Sequence, residues 1–334
     1  MRRAVVAFLT LVLLAAAPAA EAASWAQTQI RTVVAAGLMG PSVELFRPQA
    51  PLTRRELGEA LAVLTRTQQV VVDPNRAVTV RELDGALVRA LGLAPAAVQF
   101  RSKVGAAGLR PPSRIGTETV ARLLRLRFNH PAAADGLELR PFDPVTRAET
   151  AYSLARVLQL SQWDVDNVNR LAASFSLPVY TEWQKRVLTR SVRFVGWPYV
   201  WGGIWEFPHT PLGVPTRGGF DCSGLAWRIY KLEPYTGGGS LQDTLSGRTT
   251  YAMSGEVPRS WRIARTSLRP ADLIFFGDLG WRSAPSQIGH MGIYIGHGWF
   301  VHSSSQGVTL VPLSGWYAER FAWGRRPLRE AGLT

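Results

Sequence analysis

Gly218-Gly219-Phe220-Asp221-Cys222-Ser223-Gly224-Leu225 carries the only cysteine of this 334-residue chain. Leu225, Ile229 and Tyr230 follow it at helical spacing, which predicts a helix with one buried face and Cys222 in its first turn. Asp221 and Ser223, at its start, are residue types that cap helix N-termini. There the helix dipole is expected to favour a thiolate and draw the thiol below its free value of about 8.5.

Toward the C-terminus, His290-Met291-Gly292-Ile293-Tyr294-Ile295 alternates as a strand and puts His290, Gly292 and Tyr294 on one face. Gly296-His297-Gly298 reads as a turn, and a second run leads through Trp299, Phe300 and Val301 to His302. Paired as a hairpin, the runs bring His290 and His302 near the same end of adjacent strands. His302 then orients the His290 ring while His290 exchanges protons with Cys222, the division of labour of a nucleophile, a base and its orienter. The same three side chains are a possible zinc donor set. No short Cys/His pair accompanies them, so neither a metal nor a cofactor is expected.

Five stretches stand in a fixed order: Gly196-Trp197-Pro198-Tyr199-Val200-Trp201-Gly202-Gly203, the Cys222 stretch, Arg269-Pro270-Ala271-Asp272-Leu273-Ile274-Phe275-Phe276-Gly277, the His290 strand, and Phe300-Val301-His302-Ser303-Ser304. Together they resemble the NlpC/P60 family, papain-like cysteine peptidases that cut the stem peptides of peptidoglycan. The resemblance covers residues 181–334 and implies an α+β domain with helices packed on an antiparallel sheet. It implies Cys222 as nucleophile, His290 as base and His302 as third member. It further implies that Tyr199 assists the Cys222 amide in stabilising an oxyanion. In relatives that cut after D-glutamate, Asp221 and Ser223 help to hold the free amine of a trimmed stem. The bond so implied is γ-D-glutamyl to a diamino acid. An amidase or acyltransferase on the same scaffold, and a wall-binding protein without catalysis, are the alternatives. Fourteen residues, Ile204–Arg217, separate the Tyr199 and Cys222 motifs where many relatives have a shorter loop, and this loop is expected to shape the groove.

Upstream, the composition changes near Leu177-Pro178. Residues 23–160 read as a small all-α domain, residues 161–180 as a linker and residues 181–334 as the α+β domain. Thr53, Thr79 and Thr146 are each followed three residues later by a glutamate, Glu56, Glu82 and Glu149, which is capping-box spacing. Short helices of this kind cannot bury an apolar stripe alone, so the units are expected to pack on one another. Pro111–Arg127 reads as a further degenerate copy with Thr117 as its cap. Phe-x-Pro followed by Thr-Arg-x-Glu resembles the S-layer homology (SLH) repeats, which bind secondary wall polymers. That resemblance implies Arg54 and Arg147 as polymer contacts, since guanidinium groups suit carboxylate and phosphate. The second unit departs from it, with Val80 where the family usually has arginine.

The formal net charge of +14 draws the chain to polyanions. Anionic secondary wall polymers and stem peptides suit an exported protein. No basic helix with interleaved aromatics supports nucleic acid. Arg2 and Arg3, the apolar run Ala4–Ala17 and Ala20-Glu21-Ala22 read as a signal peptide over residues 1–22. With no stretch apolar enough to form a stable membrane span, the expected location is secreted or wall-associated.

Overall fold

A computed structural model describes residues 24–333, so the expected signal peptide lies outside the described residues. Seven helices come first: α1 (Gln27–Ala35), α2 (Arg54–Thr65), α3 (Val80–Ala90), α4 (Ala94–Ala106), α5 (Ile115–Leu123), α6 (Arg147–Gln159) and α7 (Gln162–Ser174). A short 3₁₀ helix spans Ala132–Leu137.

The three capping-box units meet around a pseudo-threefold axis. Leu52, Val78 and Val145 each precede a capping threonine, and their backbones close a ring. The Leu52 N–H donates to the Val145 carbonyl, Val145 to Val78, and Val78 to Leu52, each at 2.9 Å. A second ring repeats the pattern, from Arg54 to Arg76 at 2.9 Å, Val80 to Asp143 at 3.1 Å and Arg147 to Ala50 at 2.9 Å. The side chains of Leu52, Val78 and Val145 are buried on the axis, which gives each small unit the apolar partner it lacks alone.

Ion pairs reinforce the ring. Glu56 and Glu82 cap their own helices and also receive an arginine from a neighbouring unit. Arg54 reaches Glu82 at 3.1 Å, and Arg147 reaches Glu56. Where Val80 replaces the third arginine, Glu149 is met by His130 at 2.7 Å and Arg127 at 3.7 Å. Thr117 does not cap a helix: α5 begins earlier, at N-cap Arg114, and the Thr117 hydroxyl donates to the Arg114 carbonyl at 2.8 Å. The reason is the crossing with α4, where a Cβ on Gly116 would lie 1.9 Å from the Ala97 carbonyl oxygen. Residues 161–180 contain α7, which buries Val168 and Ala172 and is fastened to α4 by Lys103 Nζ donating to the Ala172 and Ala173 carbonyls at 2.8 Å.

The remainder is α+β: α8 (Glu182–Arg193), β1 (Ile204–Trp205), β2 (Gly219–Phe220), α9 (Cys222–Tyr230), α10 (Thr250–Gly255), β3 (Leu273–Gly277), β4 (Ile288–Gly296), β5 (Trp299–Ser304), β6 (Gly307–Pro312), α11 (Trp316–Glu319), β7 (Phe321–Arg325) and α12 (Pro327–Glu330). β3 to β7 form an antiparallel sheet in the order β6-β5-β4-β3-β7, and β1 pairs with β2. Leu273, Phe275, Met291, Ile293, Val301 and Trp323 share a core with Leu225 and Ile229 of α9. Ile274, Phe276, Phe300 and Phe321 form a smaller cluster of their own.

The helical part is built into the sheet part. Arg122 donates to the Gly196 carbonyl at 2.6 Å and to the Gln306 carbonyl at 2.9 Å, and the Trp201 N–H donates to Asp135 at 2.7 Å. Around Arg122 lies a cluster of buried charged residues, Asp84, Glu118, Arg127, Glu138 and Glu149. Burial pushes the neighbouring Asp84 and Glu118 carboxyls up, and none of their four oxygens has a hydrogen-bond partner among the described residues. Burial also pushes Glu138 up to about 8. Such acids are protonated in the fold and ionised in the unfolded chain near neutrality, so stability is lost as pH rises toward their folded values. His290 and His302, whose pKa values burial lowers from 6.5, act in the opposite direction below that pH. The thermal midpoint is therefore expected to fall between pH 6.5 and 8, by about 2–4 °C for each 1 kcal/mol lost. Glu138→Gln should reduce that slope in calorimetry; an unchanged slope would refute the assignment.

Candidate active site

Gly203, Asp221 and Gly224 set the start of α9. Asp221 caps the helix, accepting from the Gly224 N–H at 2.5 Å, and its own N–H donates to the Gly203 carbonyl at 3.1 Å. A Cβ on Gly224 would sit 1.9 Å from that carbonyl oxygen, so the Tyr199 turn and the helix tip touch only because residue 224 is glycine. Cys222 follows as the first residue of α9, as its sequence context predicts.

Its sulfur lies against β4. The Met291 and Ser223 backbone amides stand close enough to the thiol to favour its ionised form. β4 and β5 pair between Ile293 and Gly296, and Met291 lies before that paired stretch. The contact places Cys222 beside the residue that follows His290. On the sheet, His290 Nε2 and His302 Nδ1 are 2.8 Å apart. Phe276 stacks on the His290 ring with centroids 5.7 Å apart, and the Tyr317 ring stands edge-on to His302 at 5.2 Å. His302 is buried, and its Nε2 has no hydrogen-bond partner among the described residues.

This apolar setting decides the protonation states. Burial, and then the Asp221 carboxylate, push the Cys222 thiol up to about 12; the two amides and Arg248 oppose the rise without cancelling it. Burial pushes His290 down to about 4, and burial, with the neighbouring His290 adding to it, lowers His302 well below its ordinary value. A depressed thiol with a standing thiolate–imidazolium pair, expected from the helix dipole, is therefore not the resting state. The dipole is outweighed by loss of water around the sulfur and by the adjacent carboxylate. Cys222 as a whole residue is only partly buried.

Tyr199 is joined to Phe220 by a parallel bridge and stands beside Cys222 and Asp221. Burial, and then its neighbours Cys222 and Asp221, raise its pKa, so its hydroxyl is held as a donor. Asp221 and Ser223 are already engaged. Arg248 Nη2 donates to Asp221 at 3.0 and 3.1 Å and to the Gly202 and Gly203 carbonyls at 3.2 Å, and Nη1 donates to the Ser223 hydroxyl at 2.6 Å. Arg248 lies 26 residues past Cys222 in a loop, where its spacing carries no signal; a forked donor answering a carboxylate and two carbonyls is visible only in three dimensions.

Ile204–Arg217 is ordered by pairing of β1 with β2 and by Glu206, which accepts from Arg228 of α9 at 2.8 Å through both oxygens. Of the two residues implied as polymer contacts, Arg54 lines an open cleft between α2 and α3. Arg147 does not reach the surface: it is 5% exposed, donates to the Phe46 carbonyl at 2.6 Å, pairs with Glu56 and stacks on the Phe46 ring at 4.6 Å. Its role as a polymer contact is withdrawn, because the threefold ring uses its guanidinium. Among the described residues no group of three His, Cys, Asp or Glu side chains is placed to hold a metal ion.

Residues 196–326 match the model of the NlpC/P60 family, which places a domain of that family in the C-terminal part of the chain. The chain is 33% identical over 132 residues to the probable peptidoglycan endopeptidase LytE of Bacillus subtilis, covering 40% of this chain and 30% of that protein. It is 30% identical over 144 residues to the murein DD-endopeptidase MepH of Escherichia coli, covering 42% and 45%. To the gamma-D-glutamyl-L-lysine dipeptidyl-peptidase of Bacillus cereus it is 33% identical over 140 residues, covering 40% and 34%. The chain thus spans less than half the length of each of these relatives.

Arg248→Met leaves the Asp221 charge uncompensated beside the thiol. Alkylation of Cys222 by iodoacetamide at fixed pH is expected to slow about tenfold, the effect of a one-unit rise in thiol pKa. Arg248→Lys, a point charge without the fork, should fall between. Equal alkylation rates in all three folded proteins would remove Arg248 from the site.

Proposed function

We propose that this chain is an exported peptidoglycan hydrolase that cuts stem peptides with Cys222 as nucleophile, His290 as general base and acid, and His302 as the residue orienting His290. The observation that carries the reading is the 2.8 Å contact between His290 Nε2 and His302 Nδ1, one residue from the Met291 amide that meets the Cys222 sulfur. The names of the relatives support peptidoglycan as the substrate. The γ-D-glutamyl–diamino acid bond rests on the family resemblance and on one relative named for the γ-D-glutamyl-L-lysine linkage.

The chemistry begins from neutral partners. With its Nε2–H donating to His302 Nδ1, His290 has a free lone pair on Nδ1. Sγ attacks the peptide carbonyl as its proton passes to that nitrogen, and the imidazolium keeps its bond to His302. The Cys222 N–H and the Tyr199 hydroxyl are the donors proposed for the oxyanion, preorganised at the helix tip. The imidazolium protonates the leaving amine. Water, deprotonated by His290, then hydrolyses the thioester and returns the thiol. No cofactor enters. Asp221 and Ser223, held by Arg248, shape this end of the site, and binding of a free stem amine would require them to exchange that partner. Anionic secondary wall polymers are the second partner proposed, for the helical part. Export rests on the sequence of residues 1–22; among the described residues no helix is long and apolar enough to cross a membrane.

Mass spectrometry of muropeptides after digestion tests the reading. Wild type should release fragments ending at D-glutamate, and Cys222→Ala should release none while keeping its circular dichroism; cleavage by the alanine variant would end the proposal. The depressed pKa of His290 keeps its base form down to low pH. Hydrolysis should thus persist at about pH 5.5, where an ordinary imidazole is mostly protonated, and fail only as pH approaches 4. An acid limb at 6.5 would show that the imidazole is not held in this apolar cage.

A further inference from the structure

A second cleft lies where the two parts of the chain join, between the Arg110-Pro111-Pro112 segment, one face of α8 and the Pro234-Tyr235-Thr236 turn; its volume is about 680 Å³. Lys185, Arg186, Arg190 and Arg193 of α8 line it, with Arg110 opposite. The carboxylates nearby are committed: Glu182 pairs with Lys185 at 2.6 Å, and Glu233 pairs with Arg190 and Arg228 at 2.7 Å. Among the described residues Arg110, Arg186 and Arg193 have no carboxylate within ion-pair distance. Behind them Arg114 is pinned to the Arg193 and Val195 carbonyls at 2.7 and 3.2 Å, and Arg193 is a repulsive neighbour to it.

Like charges gathered without counterions destabilise a fold unless an anion is supplied from outside. A second, independent observation points the same way. Tyr235 lines this cleft, and its buried hydroxyl has no hydrogen-bond partner among the described residues. Burial, and then the Glu233 carboxylate, keep it protonated, so it is a donor left without an acceptor. Arg186 lies flat over the Trp183 ring at 4.0 Å and is fixed to the Thr236 carbonyl at 2.7 Å, which prearranges its remaining N–H groups.

We propose that this cleft binds the phosphodiester groups of an anionic wall polymer, with Arg110, Arg186 and Arg193 as the ionic contacts and Tyr235 as a neutral donor. Forked guanidinium donors and one hydroxyl match a tetrahedral group with several acceptor oxygens. The site lies partly on α8, ahead of the nucleophile segment, and would hold the catalytic part on the wall. The choice of a wall polymer rests on the hydrolase reading; the anion site itself does not.

The test uses the full chain carrying Cys222→Ala and a fluorescent poly(glycerol phosphate) probe, so that binding is read without turnover. Anisotropy should give saturable binding that weakens with salt. Arg110→Gln with Arg193→Gln should weaken it at least tenfold and lower the slope of log affinity against log salt by about one per contact removed. Tyr235→Phe, which removes only the hydroxyl, should weaken it several-fold with the salt slope unchanged. A charge-matched pair elsewhere, Arg101→Gln with Arg170→Gln, should leave it nearly unchanged. Equal loss in that control pair would overturn the site in favour of diffuse charge. Full competition by equimolar inorganic phosphate would show a free-phosphate site, and preference for phosphatidylglycerol vesicles or for single-stranded DNA of equal charge would overturn the wall polymer as occupant. Because no hydrolysis is measured, a chain that binds but does not cut would refute the hydrolase reading alone.

Discussion

The Asp221 carboxylate is the point on which the site turns. It caps α9 through the Gly224 N–H, accepts the Gly202 N–H from the preceding turn, and receives Arg248 from a loop beyond the helix. Two chain segments distant in sequence are thereby fixed to the tip of the helix that bears Cys222. The same charge raises the thiol pKa, so the group that builds the site also opposes its ionisation. Arg248 answers both demands, satisfying the lone pairs and offsetting part of the charge. A charged network of this kind is stable only when nearly every member finds a partner.

The helical part bears on this site through main-chain contacts. Arg122 grips the carbonyls of Gly196 and Gln306, and Asp135 accepts the Trp201 N–H, so the turn that carries Tyr199 is held from outside the catalytic part. The aromatic contacts of Phe100 and Phe175 with Trp299 bind α4 and the end of α7 to β5. A wall-targeting module on a flexible tether would show none of this. The contacts that hold the Tyr199 turn come from Arg122 and Asp135, outside the threefold ring.

The His290–His302 pair shows how an apolar cage changes a mechanism. Phe276, Phe300 and Tyr317 surround the two rings. They exclude water, which disfavours charge on either imidazole and on the thiol. In the proposed mechanism the site starts from neutral partners and develops charge only as a substrate carbonyl arrives, where oriented N–H and O–H groups can meet it.

Much of this was legible in the sequence because it depends on local rules. Thr53-x-x-Glu56 and its two counterparts announce capped helices, the apolar spacing after Cys222 announces an amphipathic helix, and the alternation around His290 announces a strand. Adjacency of His290 and His302 followed from a short turn between two strands. The rest required the tertiary structure, since it depends on burial and on long-range partners. Arg147 and Arg54 share one motif, yet one guanidinium is enclosed by the ring and the other faces a cleft; Arg248 belongs to no motif. Above all, the thiol's protonation state follows from competition between a local dipole, which sequence reveals, and dehydration, which only packing determines.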